Sequence, residues 1–230
     1  KRSDLECFLN DLIKKGLVDY IYCYKPREIK GNNRGQVNEI VKRNIGRDIC
    51  VKVGRCTHHI SLDCDEMFIP KDFKKAKEKT LKNDYDSTYI PYDNYYKKPY
   101  YVIEPKGVIR HISFIVKCDS RNYGQGLCPV TVDPTRVINS VDYNVFNPRE
   151  IKMHHYSWLR TSEKSLRRKL ENTSFRKYSN FSQDLDKIIY RYKNYKEGES
   201  CLKPWINGCI EEKIIKVKDE IKNGVEKIIW

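Results

Sequence analysis

Several features are missing from this chain, and each absence narrows what it can be. No stretch of its 230 residues approaches the roughly 20 consecutive apolar residues of a membrane-spanning helix. No secretory leader pattern opens it, and no Arg/Gly-rich arm or RNA-binding signature occurs. None of the nine cysteines forms a Cys-x-x-Cys pair, which argues against a zinc ribbon or a thioredoxin-like motif. An odd count in a chain of this size also argues against a disulfide scaffold. Reduced thiols and an intracellular, cytoplasmic location are therefore expected. There is no internal repeat and no Gly-Ser dipeptide. At 39% apolar residues the composition is lean but sufficient for a core, so one domain, or one with an appendage, is expected.

Positive charge is abundant. Lys and Arg number 45 against 31 Asp and Glu, a net charge of +14. Such a field favours anionic partners: nucleotides, nucleic acid or an acidic membrane face. The excess thickens around 71–82, 160–177 and 213–227, where solvated helix faces account for most of it.

Apolar spacing predicts a helix over 4–15 closed by Gly16, a strand over 18–24, and a second helix over 36–53. A short apolar run with Ile60 and Leu62 then reads as a buried strand, and Asp63, Asp65 and Glu66 follow at its carboxyl end. Alternating helices and strands argue for a parallel sheet with crossover helices, in which ligands sit at that end of the strands. Two aspartates one residue apart on a strand point the same way and repel unless a cation lies between them. Hard oxygen ligands suit Mg²⁺ or Mn²⁺. A polar turn is the plainer account of the same acids.

Further along, a basic helix is predicted over 70–82 and an irregular loop over 83–101, which is crowded with tyrosines and carries two prolines. Residues 100–103 and 108–116 suggest a hairpin around 105–107, and 129–132 a short strand. Helices are predicted over 163–171, 183–195 and 209–223, the last amphipathic. Tyr89, Tyr92, Tyr95, Tyr96, Tyr100 and Tyr101 read as packing or as a sugar-stacking platform, and Trp158 as a ligand wall.

Two blocks together carry a resemblance. Lys42-Arg43-Asn44, followed nineteen residues after Asn44 by Asp63-Cys64-Asp65-Glu66, is the first. The second is 153–160, with His154, His155 and Arg160, running on to Leu166 through Asn172. In this order they resemble the family-2-like glycosyltransferases of the GT-A fold, over roughly residues 5–175. The resemblance implies a Rossmann-like, mainly parallel sheet with flanking helices as a catalytic domain over 1–175, followed by a helical extension over 176–230. Such enzymes normally begin with a base-binding strand ahead of the first helix. That strand is missing here, which leaves the choice between UDP and GDP open, with a UDP-sugar favoured.

The resemblance further implies a metal-dependent transferase moving a sugar from a nucleotide donor to a hydroxyl of a glycan, protein or lipid, with inversion expected. Asp65 would bind Mn²⁺ or Mg²⁺, with Asp63 beside it and His155 or His154 as the imidazole ligand. Adjacent residues on a strand point apart, so at most one of these histidines serves. Arg43 and Asn44 would lie near the nucleotide, and Arg160 and Lys169 would face the diphosphate. The acceptor needs a carboxylate base, for which Asp133, then Asp119 and Glu66, are the candidates. A metal-dependent nucleotidyltransferase is the alternative, but it calls for a third strand-borne carboxylate and a Gly-Ser loop. A non-catalytic basic module that binds nucleic acid ranks last, because it leaves the acidic cluster unexplained. No specific nucleic acid is expected as a partner, whereas the basic helices offer a peripheral membrane contact.

Overall fold

The structure, a computed structural model, describes residues 2–28, 34–104, 109–119, 122–126, 128, 130, 133–171, 181–205 and 208–217. Helix α1 (Arg2–Lys14) ends at Gly16, whose left-handed φ of +64° closes the last turn. Helix α2 (Arg34–Lys52) leads through a short link to β1 (His58–Ile60) and β2 (Glu66–Met67). Helix α3 (Pro70–Asn83) follows, with Pro70 in its first turn and the left-handed Asp84 at its end. Strands β3 (Ser87–Tyr96), β4 (Tyr101–Ile103) and β5 (His111–Lys117) precede a single 3₁₀ turn at Pro134–Arg136. Then come β6 (Tyr143–Val145), β7 (Met153–Trp158), α4 (Glu163–Glu171), α5 (Phe181–Asn194), β8 (Ser200–Trp205) and β9 (Gly208–Lys216). No helix among the described residues is long and apolar enough to cross a membrane.

Among the described residues, nine strands make one sheet built around β3. Ser87 at its start is paired with both β5 and β6, and Asn94 near its end with both β4 and β7. The expected mainly parallel, Rossmann-like GT-A sheet is not what forms. Only β3–β6 and β3–β7 run parallel; the other six pairings are antiparallel. Short connections account for two of the six antiparallel pairings. Residues 97–100 join β3 to β4 and residues 206–207 join β8 to β9, far below the dozen or more residues a parallel crossover requires.

The loop expected over 83–101 is instead the central strand. Tyrosine, threonine and isoleucine suit a pleated, buried surface. Pro91, which lacks an N–H for the ladder, sits where β3 passes from β5 to β4 on one register and from β6 to β7 on another. Strands β4 and β5 do not form the expected hairpin with each other; each meets its own stretch of β3. The turn proposed at 105–107 and most of the strand proposed at 129–132 lie outside the described residues. Residues 18–24 form no strand, for they meet no sheet edge and leave Tyr20 and Tyr22 half exposed.

The helix expected over 209–223 is also replaced, as far as it is described, by β9, which pairs with β8 and β4. The C-terminal extension is therefore not wholly helical: its hairpin widens the same sheet. Isoleucines 210, 214 and 215 favour that state once β4 offers an edge.

The two larger of four apolar clusters pack α3, α4 and α5 on the sheet. Helix α3 sets Ala76 and Phe73 against Ile90, Phe114, Phe146 and Met153. Helices α4 and α5 set Leu166, Leu170, Ile188 and Tyr192 against Tyr96, Trp158 and Cys201. Most of the tyrosine cluster is core: Tyr89, Tyr95 and Tyr96 are almost wholly buried. Trp158 is only 6% exposed and packs with Tyr96, so it belongs to the core and does not stand open as a wall.

Candidate active site

The acidic segment is positioned by backbone bonds. Strand β1 stops at Ile60, so Asp63 and Asp65 lie in the turn that follows and do not point the same way along a strand. Leu62 is half exposed in that turn. The Glu66 N–H donates to the Asp63 carbonyl, and the Asp63 N–H donates back to Glu66 Oε2 at 3.0 Å. The turn is fastened to β7 by the Tyr156 N–H on the Asp65 carbonyl and by the pairing of Glu66 with His155. Asp65 is thereby laid beside His155.

The two aspartates have different surroundings. Asp63 Oδ2 accepts from Arg136 at 2.8 Å and from Arg43 at 3.2 Å. Burial pushes its carboxyl up, but the two guanidinium groups prevail and hold it below its ordinary range. Glu66 gives Oε1 to Arg136 at 2.5 Å and is almost fully buried, and burial keeps its carboxyl raised despite that partner. Both Glu66 oxygens are thus engaged within the protein. Arg136, 2% exposed, also donates to the Ser61 carbonyl, and Arg43 to Ser61 Oγ and Glu39. These two arginines neutralise Asp63 and Glu66 and fix the turn. Asn44 accepts from the Tyr123 N–H at 2.8 Å and so pins the 122–126 loop to α2.

Asp65 faces the other way. Its Oδ1 lies 3.7 Å from His155 Nε2 and its Oδ2 3.8 Å from Arg160. The far side of the imidazole is held by Asn94, whose Oδ1 is 2.9 Å from Nδ1. Burial pulls His155 down to about 4 against the opposing pull of Asp65, so the ring is neutral at physiological pH. Lys169 is drawn down to about 8, first by burial and then by Arg160, and its ammonium lies 6.0 Å over the Trp158 ring. The Tyr92 ring meets His155 edge-on at 6.0 Å. His154 points away: it is fully buried, and its Nδ1 bonds the Tyr95 hydroxyl at 2.7 Å.

The remaining base candidates separate. Asp133 caps the 3₁₀ turn through Thr135, stays exposed, and its charge acts on Arg136 and Tyr92, at the edge of the site. The charge of Asp119 falls on His59 and Cys118 at the end of β5. The structure thus brings together Asp65, His155, Arg160 and Lys169, with Asp63, Glu66 and Arg43 behind them. Arg136 and Asn94 complete the arrangement and were not singled out from the sequence. A buried arginine one turn after an Asp-Pro cap has no spacing signature. Asn94 would have stood out as an amide in a tyrosine-rich strand had β3 been recognised.

Among the described residues no group of three or more His, Cys, Asp or Glu is arranged to hold a metal ion. Asp65 and His155 are a pair. Two ligands at about 2.1 Å from one ion lie roughly 3.0–3.4 Å apart, so their 3.7 Å separation fits a shared cation after a small approach. A neutral imidazole with a carboxylate suits Mn²⁺ better than Mg²⁺. No family model matches the chain, and neither a curated protein nor a solved structure matches it.

Proposed function

We propose that the chain is a metal-dependent glycosyltransferase that moves a sugar from a nucleoside-diphosphate donor, UDP favoured, to a hydroxyl acceptor. The observation that carries this reading is the Asp65–His155 pair beside Arg160 and Lys169, a carboxylate and an imidazole next to two cationic side chains. The order of the acidic and His-containing blocks supports it from the sequence. The nucleotidyltransferase alternative loses ground, because Asp63 and Glu66 are committed to Arg43 and Arg136 and no third free carboxylate joins Asp65 among the described residues.

In this reading Asp65 and His155 hold Mn²⁺ or Mg²⁺. The ion, when bound, offsets the charge that develops on the departing diphosphate. Arg160 presents a planar fork suited to two phosphate oxygens. Lys169, partly desolvated, adds a point charge that strengthens as the phosphates come near. Arg136 and Arg43 hold Asp63 and Glu66 in place, so the turn that bears Asp65 does not swing. Asp133, which is exposed, would take the acceptor proton.

Calorimetric titration of Mn²⁺ with UDP, then with GDP, tests this. Wild type should bind one nucleotide in a metal-dependent manner. Asp65→Ala should lose more than the roughly 10–100-fold that a change in an outer-shell residue costs. Equal binding by wild type and Asp65→Ala, or none by wild type with Mn²⁺ present, would count against the transferase.

A further inference from the structure

We propose that Asn94 is the positioning residue that fixes His155 as its Nδ1–H tautomer and turns the Nε2 lone pair toward Asp65. The geometry begins with the register: Asn94 on β3 and His155 on β7 are direct partners across a parallel pair. Asn94 is 8% exposed, and asparagine is a poor strand former, so packing alone does not account for an amide there. Its Oδ1 lies 2.9 Å from His155 Nδ1. An amide oxygen only accepts, so Nδ1 must carry the hydrogen. In the neutral ring Nε2 then carries a lone pair, and it faces a carboxylate oxygen at 3.7 Å, itself only an acceptor. Two acceptors turned toward one another, with no proton between them, are arranged for a cation.

It is the Oδ1 end of the Asn94 amide that meets His155. Metal-bound histidines ordinarily donate their second nitrogen to an outer-shell acceptor, and Asn94 stands in that relation to His155. The role toward a cation rests on the transferase reading; the tautomer does not.

Long-range ¹H–¹⁵N correlation spectra of the metal-free full chain near pH 7.5 test the assignment, with His155 identified by its absence in His155→Gln. Wild type should show the Nδ1–H pattern. Asn94→Leu should switch the ring to Nε2–H, now bonded to Asp65, while Asn94→Asp should keep Nδ1–H. Electron paramagnetic titration of free Mn²⁺ in the presence of UDP should show Asn94→Leu weakened about 10–100-fold and Asn94→Asp within a few-fold of wild type. An Nε2–H ring in wild type or in Asn94→Asp, or an Nδ1–H ring that persists in a folded Asn94→Leu, would overturn the assignment. The expected tautomers without any Mn²⁺ or UDP binding would uphold Asn94 as the orienting residue and overturn the transferase reading.

Discussion

At the scale of single residues, the chain separates two aspartates that its sequence makes look alike. Asp63 is paired with Arg43 and Arg136, whereas Asp65 meets only longer contacts to His155 and Arg160. Arg136 is the residue on which this division turns, since it serves both Asp63 and the buried Glu66. Replacing it by methionine keeps the bulk and removes the charge, so Glu66 is left buried without its counter-ion. Arg136→Met should therefore lower stability by about 3–5 kcal/mol, read from the denaturant midpoint. Adding Glu66→Gln to Arg136→Met should recover part of that loss. If the single variant unfolds at the wild-type midpoint, the ion pair does not hold the turn.

At the scale of elements, the β8–β9 hairpin is tied to the sheet by charge as well as by backbone. Glu212 on β9 has a side chain only 1% exposed, accepts from Lys203 on β8 at 2.8 Å, and pairs with Arg110 just ahead of β5. Glu212→Ala strands two cations and should cost about 3–5 kcal/mol, while exposed Lys213→Ala should stay within about 0.5 kcal/mol in the same thermal melt. Helices were the legible elements: α1, α2, α3, α4 and α5 all fall close to where apolar spacing and end signals place them. Among the strands, β1, β4 and β5 fall where they were expected, whereas β3 and β9 were missed for definite reasons. Pro91 and dense tyrosine disguised β3, because the proline is acceptable only where the strand exchanges partners. Residues 208–216 carry isoleucines compatible with both periods, and the edge of β4 decides between them. At the site, the juxtaposition of Asp65 with a histidine of 154–155 was expected only through the resemblance, since no local pattern shows that residues ninety positions apart meet. Choosing His155 over His154 required the register with Asn94, and Arg136 required the tertiary fold.

At the scale of the whole molecule, acid stability depends on histidines that the fold keeps neutral. His59 is pulled down to about 4, chiefly by burial and then by Arg47. In the unfolded chain a histidine titrates near about 6.5. Between those two values the unfolded state binds the proton more readily, so falling pH favours unfolding by up to about 1.4 kcal/mol per pH unit for this group. The melting temperature should decline from pH 6.5 toward 4, and His59→Gln should flatten the decline; identical profiles for the two proteins would remove His59 from the account. The nine-stranded sheet also has a temporal side. Asp65 and His155 are ninety positions apart, and β7 is the strand on which the acidic turn is fastened. At about 5–20 residues per second of synthesis, the turn is made roughly 5–20 seconds before its docking strand. For most of that interval the nascent chain holds Asp63 and Glu66 with Arg43 already made but Arg136 still to come, and Arg136 in turn precedes His155, so the acids gain their second counter-ion before their docking strand is complete.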